Sequence, residues 1–143
     1  MTHQDVGKID LSGYESWEGH DPFEDHAGPY FMKRLENGEI RCAFHAKAFH
    51  CNGGGFLHGG ALLTFADYAL FAIGDDYLDG PCVTVSLNGD FIAAGHPDRL
   101  IEARGDVVRN TRSLVFIRGE IYCGEETLFT FNGIIKKIKK RPA

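Results

Sequence analysis

Residues 52–74 read NGGGFLHGGALLTFADYALFAIG, a glycine-rich loop that leads into a long apolar segment. Within residues 61–73 the only polar side chains are those of Thr64, Asp67 and Tyr68. A helix that is apolar on every side is expected to be buried, and about a dozen residues are too few to cross a bilayer. A carboxylate inside such a helix is costly unless it is paired, hydrated or used in chemistry. Asp67 is therefore the first candidate for a functional residue.

The size and composition of the chain indicate one globular domain. Its 143 residues are enough to bury a core. We predict an N-terminal arm over residues 1–29 and a folded domain over residues 30–143. The net charge of -5 argues against general nucleic-acid binding, and no apolar run is long enough for a membrane span. We therefore expect neither a nucleic-acid partner nor a membrane partner.

The cysteines are scattered and form no C-x-x-C pair, and we expect no signal peptide at the N-terminus. Free thiols in a reducing cytoplasm are the interpretation that fits this usage. His50, Cys51 and His58 could also suggest a metal site or a Cys–His nucleophile. No second ligand pair and no orienting acid accompany them, so we assign no metal and no cofactor. The four cysteines are Cys42, Cys51, Cys82 and Cys123.

Turn signals divide the chain into two strands, one helix and four further strands. Asn37-Gly38 separates residues 30–35 from residues 39–49, and Asn-Gly between such runs predicts a β-hairpin. After the apolar helix, strand-like runs continue to residue 138 with only short polar connections, which predict antiparallel neighbours. The fold class is therefore α+β: one long central helix wrapped by an antiparallel sheet of five to six strands.

The N-terminal arm is polar and rich in turn residues. We predict a short helix around residues 14–17, and we expect Trp17 and Phe23 to pack the arm against the domain. Residues 21–26 read as a solvated, capped loop. The crowded histidines and acids of this arm could alternatively bind a metal.

The apolar helix also predicts self-association. One face of it can cover the sheet, but the sequence has no second apolar helix to cover the opposite face. A second copy of the chain would bury that face. We therefore expect a homodimer, which could pair further into a dimer of dimers.

The loop and the helix carry a pattern, N-x-x-G-x-x-H-G-G followed by an aspartate. It resembles the hotdog-fold acyl-CoA thioesterases of the phenylacetate-pathway (PaaI-like) type. Residues 84–88 and 109–116 extend the resemblance, which covers about residues 30–138. The residues of the pattern are Asn52, Gly55, His58, Gly59, Gly60 and Asp67.

The resemblance implies hydrolysis of an acyl- or aryl-CoA thioester. In that mechanism Asp67 is the general base or the nucleophile, and the Gly59 N–H and Asn52 polarise the thioester carbonyl. Thr84 corresponds to a hydroxyl that helps to orient the water. The residue types suit the chemistry, because a developing oxyanion needs donors and water needs a base. The free N–H groups at the start of a helix are such donors.

Coenzyme A carries several phosphates, so an acidic chain must concentrate positive charge locally to bind it. The resemblance favours Arg109, Arg112 and Ser113 for the CoA groove, with the basic run over residues 136–141 as the other candidate. His58 and Gly60 would line the substrate site from the loop before the helix. His58 has either a structural role in fixing that loop or a catalytic one.

Spacing places a strong demand on this mechanism. Gly59 and Asp67 are eight residues apart, so a continuous helix separates them by about 12 Å. One carbonyl carbon cannot lie within about 3 Å of both groups. Two antiparallel helices across a dimer axis would place Gly59 of one chain beside Asp67 of the other. We therefore predict a site shared between two subunits.

Two other functions compete with hydrolysis. The same fold could bind or sense acyl-CoA without catalysis. A hotdog dehydratase or hydratase is the third possibility, but its chemistry requires a histidine paired with an acid, whereas His58 is followed by glycines.

Overall fold

A computed structural model describes residues 9–17 and 19–139 of the chain. Seven strands, two α-helices and two short 3-10 helices make up this part. The strands are β1 (Glu15–Ser16), β2 (Phe31–Arg34), β3 (Ile40–Ala46), β4 (Cys82–Phe91), β5 (Arg99–Asn110), β6 (Leu114–Cys123) and β7 (Glu126–Lys137). The helices are α1 (Pro22–Ala27) and α2 (Gly59–Ile73), and the 3-10 turns span Ala48–His50 and Asp75–Tyr77.

All seven strands form one antiparallel sheet in the order β1-β2-β3-β5-β6-β7-β4. The predicted helix-and-sheet arrangement is confirmed, but the count of five to six strands is wrong. The additional strand is β1, where Glu15 and Ser16 pair with Met32 and Phe31. A two-residue strand has no periodicity that a sequence could reveal, because it exists only through its pairing partner.

Helix α2 begins where the glycine-rich loop ends. The His58 side chain caps it by accepting a hydrogen bond from the Gly60 N–H, and Gly74 ends it. The helix lies against the sheet and contributes Phe65, Ala66 and Leu70 to the core, all fully buried. Apolar burial of this kind stabilises the fold by about 25 cal/mol per Å².

One glycine of the sheet permits the close approach of this helix. A Cβ at Gly133 of β7 would lie 2.4 Å from Cδ1 of Leu70 and 3.0 Å from the Ser86 carbonyl oxygen. A larger residue fits there only if the Leu70 side chain or the helix shifts. The packing distance between α2 and β7 therefore depends on Gly133.

One side of α2 remains only partly covered by its own chain. It carries Gly60, Leu63, Thr64, Asp67 and Phe71, at helical spacing. Leu63 is 37% exposed, and the side chains of Thr64, Asp67 and Phe71 are half-buried. The helix that the sequence predicts to be buried on all sides thus has an uncovered face in the single chain.

The arm differs from its prediction at two places. Residues 15–16 form strand β1 instead of a helix, and the helix of this region is α1, over Pro22–Ala27. Asp21 caps α1 by accepting from the Glu24 N–H at 3.0 Å, and proline occupies the first turn. An aspartate followed by proline is a helix-start signal. The capped loop predicted over residues 21–26 is therefore a helix.

The two aromatic residues expected to anchor the arm behave differently. Trp17 packs on the core, with its ring centre 5.1 Å from that of Tyr68. Phe23 is 64% exposed, so its predicted packing against the domain is wrong for the single chain. None of the helices in the described part of the chain has the length and hydropathy that a membrane crossing requires.

Candidate active site

Asp67 and Thr84 are brought together from two different elements. The Thr84 hydroxyl of β4 donates a hydrogen bond of 2.6 Å to Oδ1 of Asp67 on α2. Both side chains are half-buried. This is the only side-chain hydrogen bond of Asp67 within residues 9–17 and 19–139, so the second carboxylate oxygen remains available to a ligand. The contact orients the carboxylate without neutralising it.

A bulge in β4 makes this contact possible. The β4–β7 register shifts between Thr84 and Ser86, which inserts Val85 as an extra residue. Strict alternation would put Thr84 and Leu87 on opposite faces. Because of the bulge, Leu87 packs against the core while Thr84 reaches the helix. Bulges commonly re-aim a side chain in this way beside functional sites.

A cavity of about 680 Å³ opens beside Asp67. Its walls come from the arm, from α2 and from the start of β4. Trp17 and Phe71 provide aromatic surface, and Val83 adds an aliphatic wall. The volume falls in the range of small-molecule sites. The lining residues are Trp17, His20, Asp21, Glu24, Asp67, Phe71, Cys82, Val83 and Thr84.

Glu24 is the site residue that sequence reasoning missed. It lines the 680 Å³ cavity and also a second cavity of about 350 Å³, and Asp67 lines both. Burial, with a hydrogen bond to Asp21 and the negative charges of Asp21, Asp67 and Asp25, raises the pKa of Glu24 to about 8. The helix-start signal of α1 could have indicated this residue. Its proximity to Asp67 follows only from the packing of α1 on α2.

The start of α2 places His58, Gly59 and Gly60 together. Nδ1 of His58 accepts the Gly60 N–H at 2.8 Å, so this donor is already engaged. Within the described residues the Gly59 N–H has no acceptor, and the Phe91 ring lies over this glycine, 3.1 Å from where a Cβ would be. Gly59 is thus the helix-terminal residue whose N–H is available to a ligand.

Asn52 organises the loop before the helix. Its Oδ1 accepts the N–H groups of Gly54 at 2.9 Å and Phe56 at 3.2 Å. Its side chain is exposed, and its amide NH₂ has no acceptor among the side chains and backbone that the structure describes. The oxygen therefore shapes the loop, while the nitrogen can donate elsewhere.

The two basic regions predicted to bind CoA meet in one cleft. Arg112 and Ser113, from the β5–β6 turn, line a cavity of about 450 Å³ with Lys137, Ile138 and Lys139. The backbone N–H of Lys137 donates to the Ser113 carbonyl at 2.8 Å, which joins the two segments. Arg109 is exposed on β5 and does not line this cleft. Residues 140 and 141 of the basic run lie outside the described residues.

The basic cleft lies at the same end of the sheet as the cavity beside Asp67. The Ile138 N–H donates to the Pro81 carbonyl at 2.8 Å, and Cys82, which lines the cavity, pairs with Lys137. Burial raises the pKa of the Cys82 thiol.

Within the described residues no group of three His, Cys, Asp or Glu side chains has the geometry for a metal ion.

Gly59 and Asp67, which were predicted to act together only from different subunits, are far apart within one chain. Gly59 begins α2 and Asp67 follows eight residues later on the same unbroken helix, which corresponds to about 12 Å along the axis. The helix-terminal donor and the carboxylate of one chain therefore cannot act on the same carbonyl group.

One long helix wrapped by one antiparallel sheet is the hotdog-like fold of thioesterases. Asp67 lies in the middle of that helix. Residues 54–130 match the thioesterase superfamily. This is more than half of the 143 residues, and the chain belongs to that superfamily.

Individual relatives agree with this membership. The Pseudomonas aeruginosa protein named "Putative esterase PA0474" is 29% identical over 115 residues, which are 79% of this chain and 86% of that protein. A mutant structure of the phenylacetic acid degradation protein PaaI from Thermus thermophilus is 27% identical, with a TM-score of 0.72 over 82% of this chain and all of that one. The predicted resemblance to PaaI-like proteins is confirmed.

A third structure shares the fold. It is the BH2602 protein from Bacillus halodurans with CoA, which is 20% identical, with a TM-score of 0.70 over 77% of this chain and 74% of that one.

Proposed function

We propose that this protein hydrolyses an acyl- or aryl-CoA thioester to the free acid and CoA. The observation that carries the proposal is the Asp67 carboxylate, oriented by Thr84 at 2.6 Å and exposed to a cavity of about 680 Å³. A carboxylate held by one hydrogen bond, with its other oxygen available, can accept a proton from water or attack a carbonyl carbon.

The reaction follows from these groups. In the general-base form, Asp67 takes a proton from water as the water oxygen bonds to the thioester carbonyl carbon. The carbonyl oxygen becomes an oxyanion, which the Gly59 N–H and the Asn52 amide NH₂ stabilise. The C–S bond then breaks and the departing thiolate is protonated. In the nucleophilic form, Asp67 itself bonds to the carbonyl carbon and water hydrolyses the resulting anhydride.

The donors in this reaction belong to a second subunit. The uncovered face of α2 supports a homodimer, because Leu63 and Phe71 of that face would otherwise remain in water. Strand β4 lies at the edge of the sheet, and its Val83 and Val85 are 43% and 52% exposed. An exposed apolar edge strand of this kind favours pairing with another chain. Further pairing of dimers stays a prediction.

The basic cleft is the proposed site of the CoA phosphates. Arg112, Lys137 and Lys139 bring three positive charges to it, and Arg109 is a more distant candidate. The cleft and the cavity beside Asp67 flank the start of β4, so one extended ligand could occupy both. The CoA in the Bacillus halodurans structure is consistent with this class of ligand.

The acyl group would lie against Trp17 and Phe71, which favour apolar or aromatic acids. The name of the Thermus thermophilus relative, a phenylacetic acid degradation protein, makes aryl-acetyl thioesters part of a rational substrate panel.

Hydrolysis of a panel of straight-chain and aryl acyl-CoAs, measured by release of free thiol, tests the proposal. We expect Asp67→Asn to lower kcat by about a hundredfold or more on the best substrate, while Asp79→Asn, an exposed aspartate beyond α2, leaves it unchanged. Equal rates for wild type and Asp67→Asn would refute the catalytic role. Tight binding of acyl-CoA without hydrolysis in the wild type would identify a sensor instead of an enzyme.

A further inference from the structure

Helix α1 brings a second carboxyl group to the Asp67 site. Asp21 caps the helix, and α1 packs on α2. This contact places Glu24 in the walls of both cavities that Asp67 lines. Trp17, from the same arm, forms another wall of the larger cavity. The arm is therefore part of the site and not an appendage to it.

Among the described residues, no lysine or arginine lines the cavities that contain Glu24. Acids surround it on two elements: Asp21 and Asp25 on α1, and Asp67 on α2. Within residues 9–17 and 19–139 it forms no ion pair. The other titratable groups near it are His20 in the arm and Cys82 of β4, which share its cavity. An ionised Glu24 would therefore face three like charges with no lysine or arginine in these cavities to offset them.

Two buried phenols mark the same location independently. Tyr30 and Tyr68 are 3% and 2% exposed, and neither hydroxyl has a hydrogen-bond partner in the described part of the protein. Both line a small gap beneath the arm together with Glu24 and Trp17. A buried hydroxyl without a hydrogen bond costs free energy that hydration would return, so the two phenols weaken the contact between the arm and α2.

We propose that Glu24 is a positioning residue for the Asp67 site: with its proton it lets helix α1 and Trp17 pack against α2, and without it α1 and Trp17 move away from α2 while β1 stays paired with β2. Trp17 would then line the substrate cavity at low pH and leave it at high pH.

The sign of this effect follows from linkage. In the docked arm the pKa of Glu24 is raised to about 8, against an ordinary value of 4.5. The constant for docking of α1 on α2 therefore does not change with pH below about pH 4.5. Between that pH and about 8 the docking constant falls up to tenfold per pH unit, and above 8 it falls no further. Helix α1 separates from α2 only if the docking constant falls below one within this window.

Trp17 reports the docking directly, because it is the only tryptophan of the chain and its ring packs on Tyr68. Its fluorescence emission is recorded on the ligand-free protein from about pH 5 to about pH 9. We expect the wild-type emission to move to longer wavelength as pH rises, as the indole enters water. Glu24→Gln mimics the protonated side chain and should keep the docked emission throughout.

Three further variants make the assignment specific. Asp67→Asn removes the like charge that Glu24 meets only when α1 is docked on α2, so it should move the transition to higher pH. His20→Gln and Glu125→Gln, the latter an exposed acid in the β6–β7 turn, should leave it in place. A transition that persists in Glu24→Gln, or that disappears in His20→Gln, would overturn the proposal, as would a wild type with no transition.

The kinetic readout rests on the proposed function, whereas the fluorescence readout does not. On the best acyl-CoA of the panel, we expect KM of the wild type to rise with pH across the same window and kcat to change little, because Trp17 binds substrate while Asp67 stays in place. Glu24→Gln should hold KM constant. Absence of any hydrolysis would refute the thioesterase proposal alone. A KM of Glu24→Gln that rises as in the wild type would contradict the role of Glu24.

Discussion

The Thr84 hydroxyl lies 2.6 Å from Oδ1 of Asp67, across the space between the edge strand β4 and the central helix α2. This hydrogen bond connects the only acidic residue of the helix to a strand that follows it in the chain. It fixes which carboxylate oxygen is engaged and which one faces the cavity.

Thr84→Val should test this orientation. Valine keeps the shape of the side chain but removes the donor, and a hydrogen bond to a charged group contributes about 1.5–3 kcal/mol. We expect kcat/KM for the best acyl-CoA to fall between about tenfold and a hundredfold. Thr84→Ser, which retains the hydroxyl, should stay within about threefold of the wild type. Equal losses in both variants would assign Thr84 a packing role only.

The Gly59 N–H can be removed without removing the helix. Proline is favoured at the first position of a helix, and His58 already has the extended backbone, with φ -65° and ψ 138°, that precedes proline. We expect Gly59→Pro to lower kcat by about a hundredfold, as the loss of one oxyanion donor does. Gly59→Ala is the matched control, because it adds the same Cβ near Phe91 but keeps the N–H.

Mixing the two inactive variants tests whether the site is shared. In a heterodimer of Gly59→Pro and Asp67→Asn, one composite site has both an intact donor and an intact carboxylate, and the other has neither. Co-refolded mixtures should therefore recover about a quarter of the wild-type activity, since about half of the dimers are mixed and each has one working site. A mixture no more active than its components would show that each site lies within one chain.

Charge in the basic cleft should affect the nucleotide end of the substrate alone. We expect Arg112→Gln and Lys139→Gln each to raise KM for acyl-CoA by about two- to fivefold, the effect of one exposed charge pair. Neither should alter KM for the matching acyl-pantetheine, which lacks the nucleotide phosphates. Arg118→Gln, an exposed arginine paired with Asp106, is the control. Equal effects on both substrates would show that the CoA phosphates do not bind in this cleft.

Gly133→Ala should destabilise the fold. The new Cβ would lie 2.4 Å from a terminal methyl group of Leu70, which is fully buried in the core. Overpacking of this kind costs about 1–3 kcal/mol, measurable as a lower free energy of unfolding in urea. Gly53→Ala, whose Cβ would meet no atom within 4 Å, should change that free energy by less than about 0.5 kcal/mol. The reverse order of stabilities would contradict the role of Gly133 as the contact point of helix and sheet.

Much of the fold could be predicted from local patterns. Asn37-Gly38 predicted the β2–β3 hairpin, and Gly38 has the positive φ, 89°, that such a turn requires. The four strands predicted after the helix are all present, as β4 to β7. These elements follow from periodicity and turn chemistry, which act over a few residues.

Strand β1 and helix α1 could not be placed in the same way. The first exists only because Glu15 and Ser16 find β2. The second has a start signal at Asp21, but its six residues give no periodicity. Short elements are stabilised mainly by tertiary contacts, so the local sequence does little to predict them.

The local pattern is enough to place a carboxylate, Asp67, within an apolar helix eight residues after a glycine start. It also determined that one chain cannot bring Gly59 and Asp67 together, since the rise of a helix is constant. The surroundings of that carboxylate, in contrast, depend on tertiary packing. A bulge in β4 turns Thr84 toward it, and the arm places Glu24 beside it. Both depend on how distant segments pack, which is a property of the whole fold and not of any local pattern.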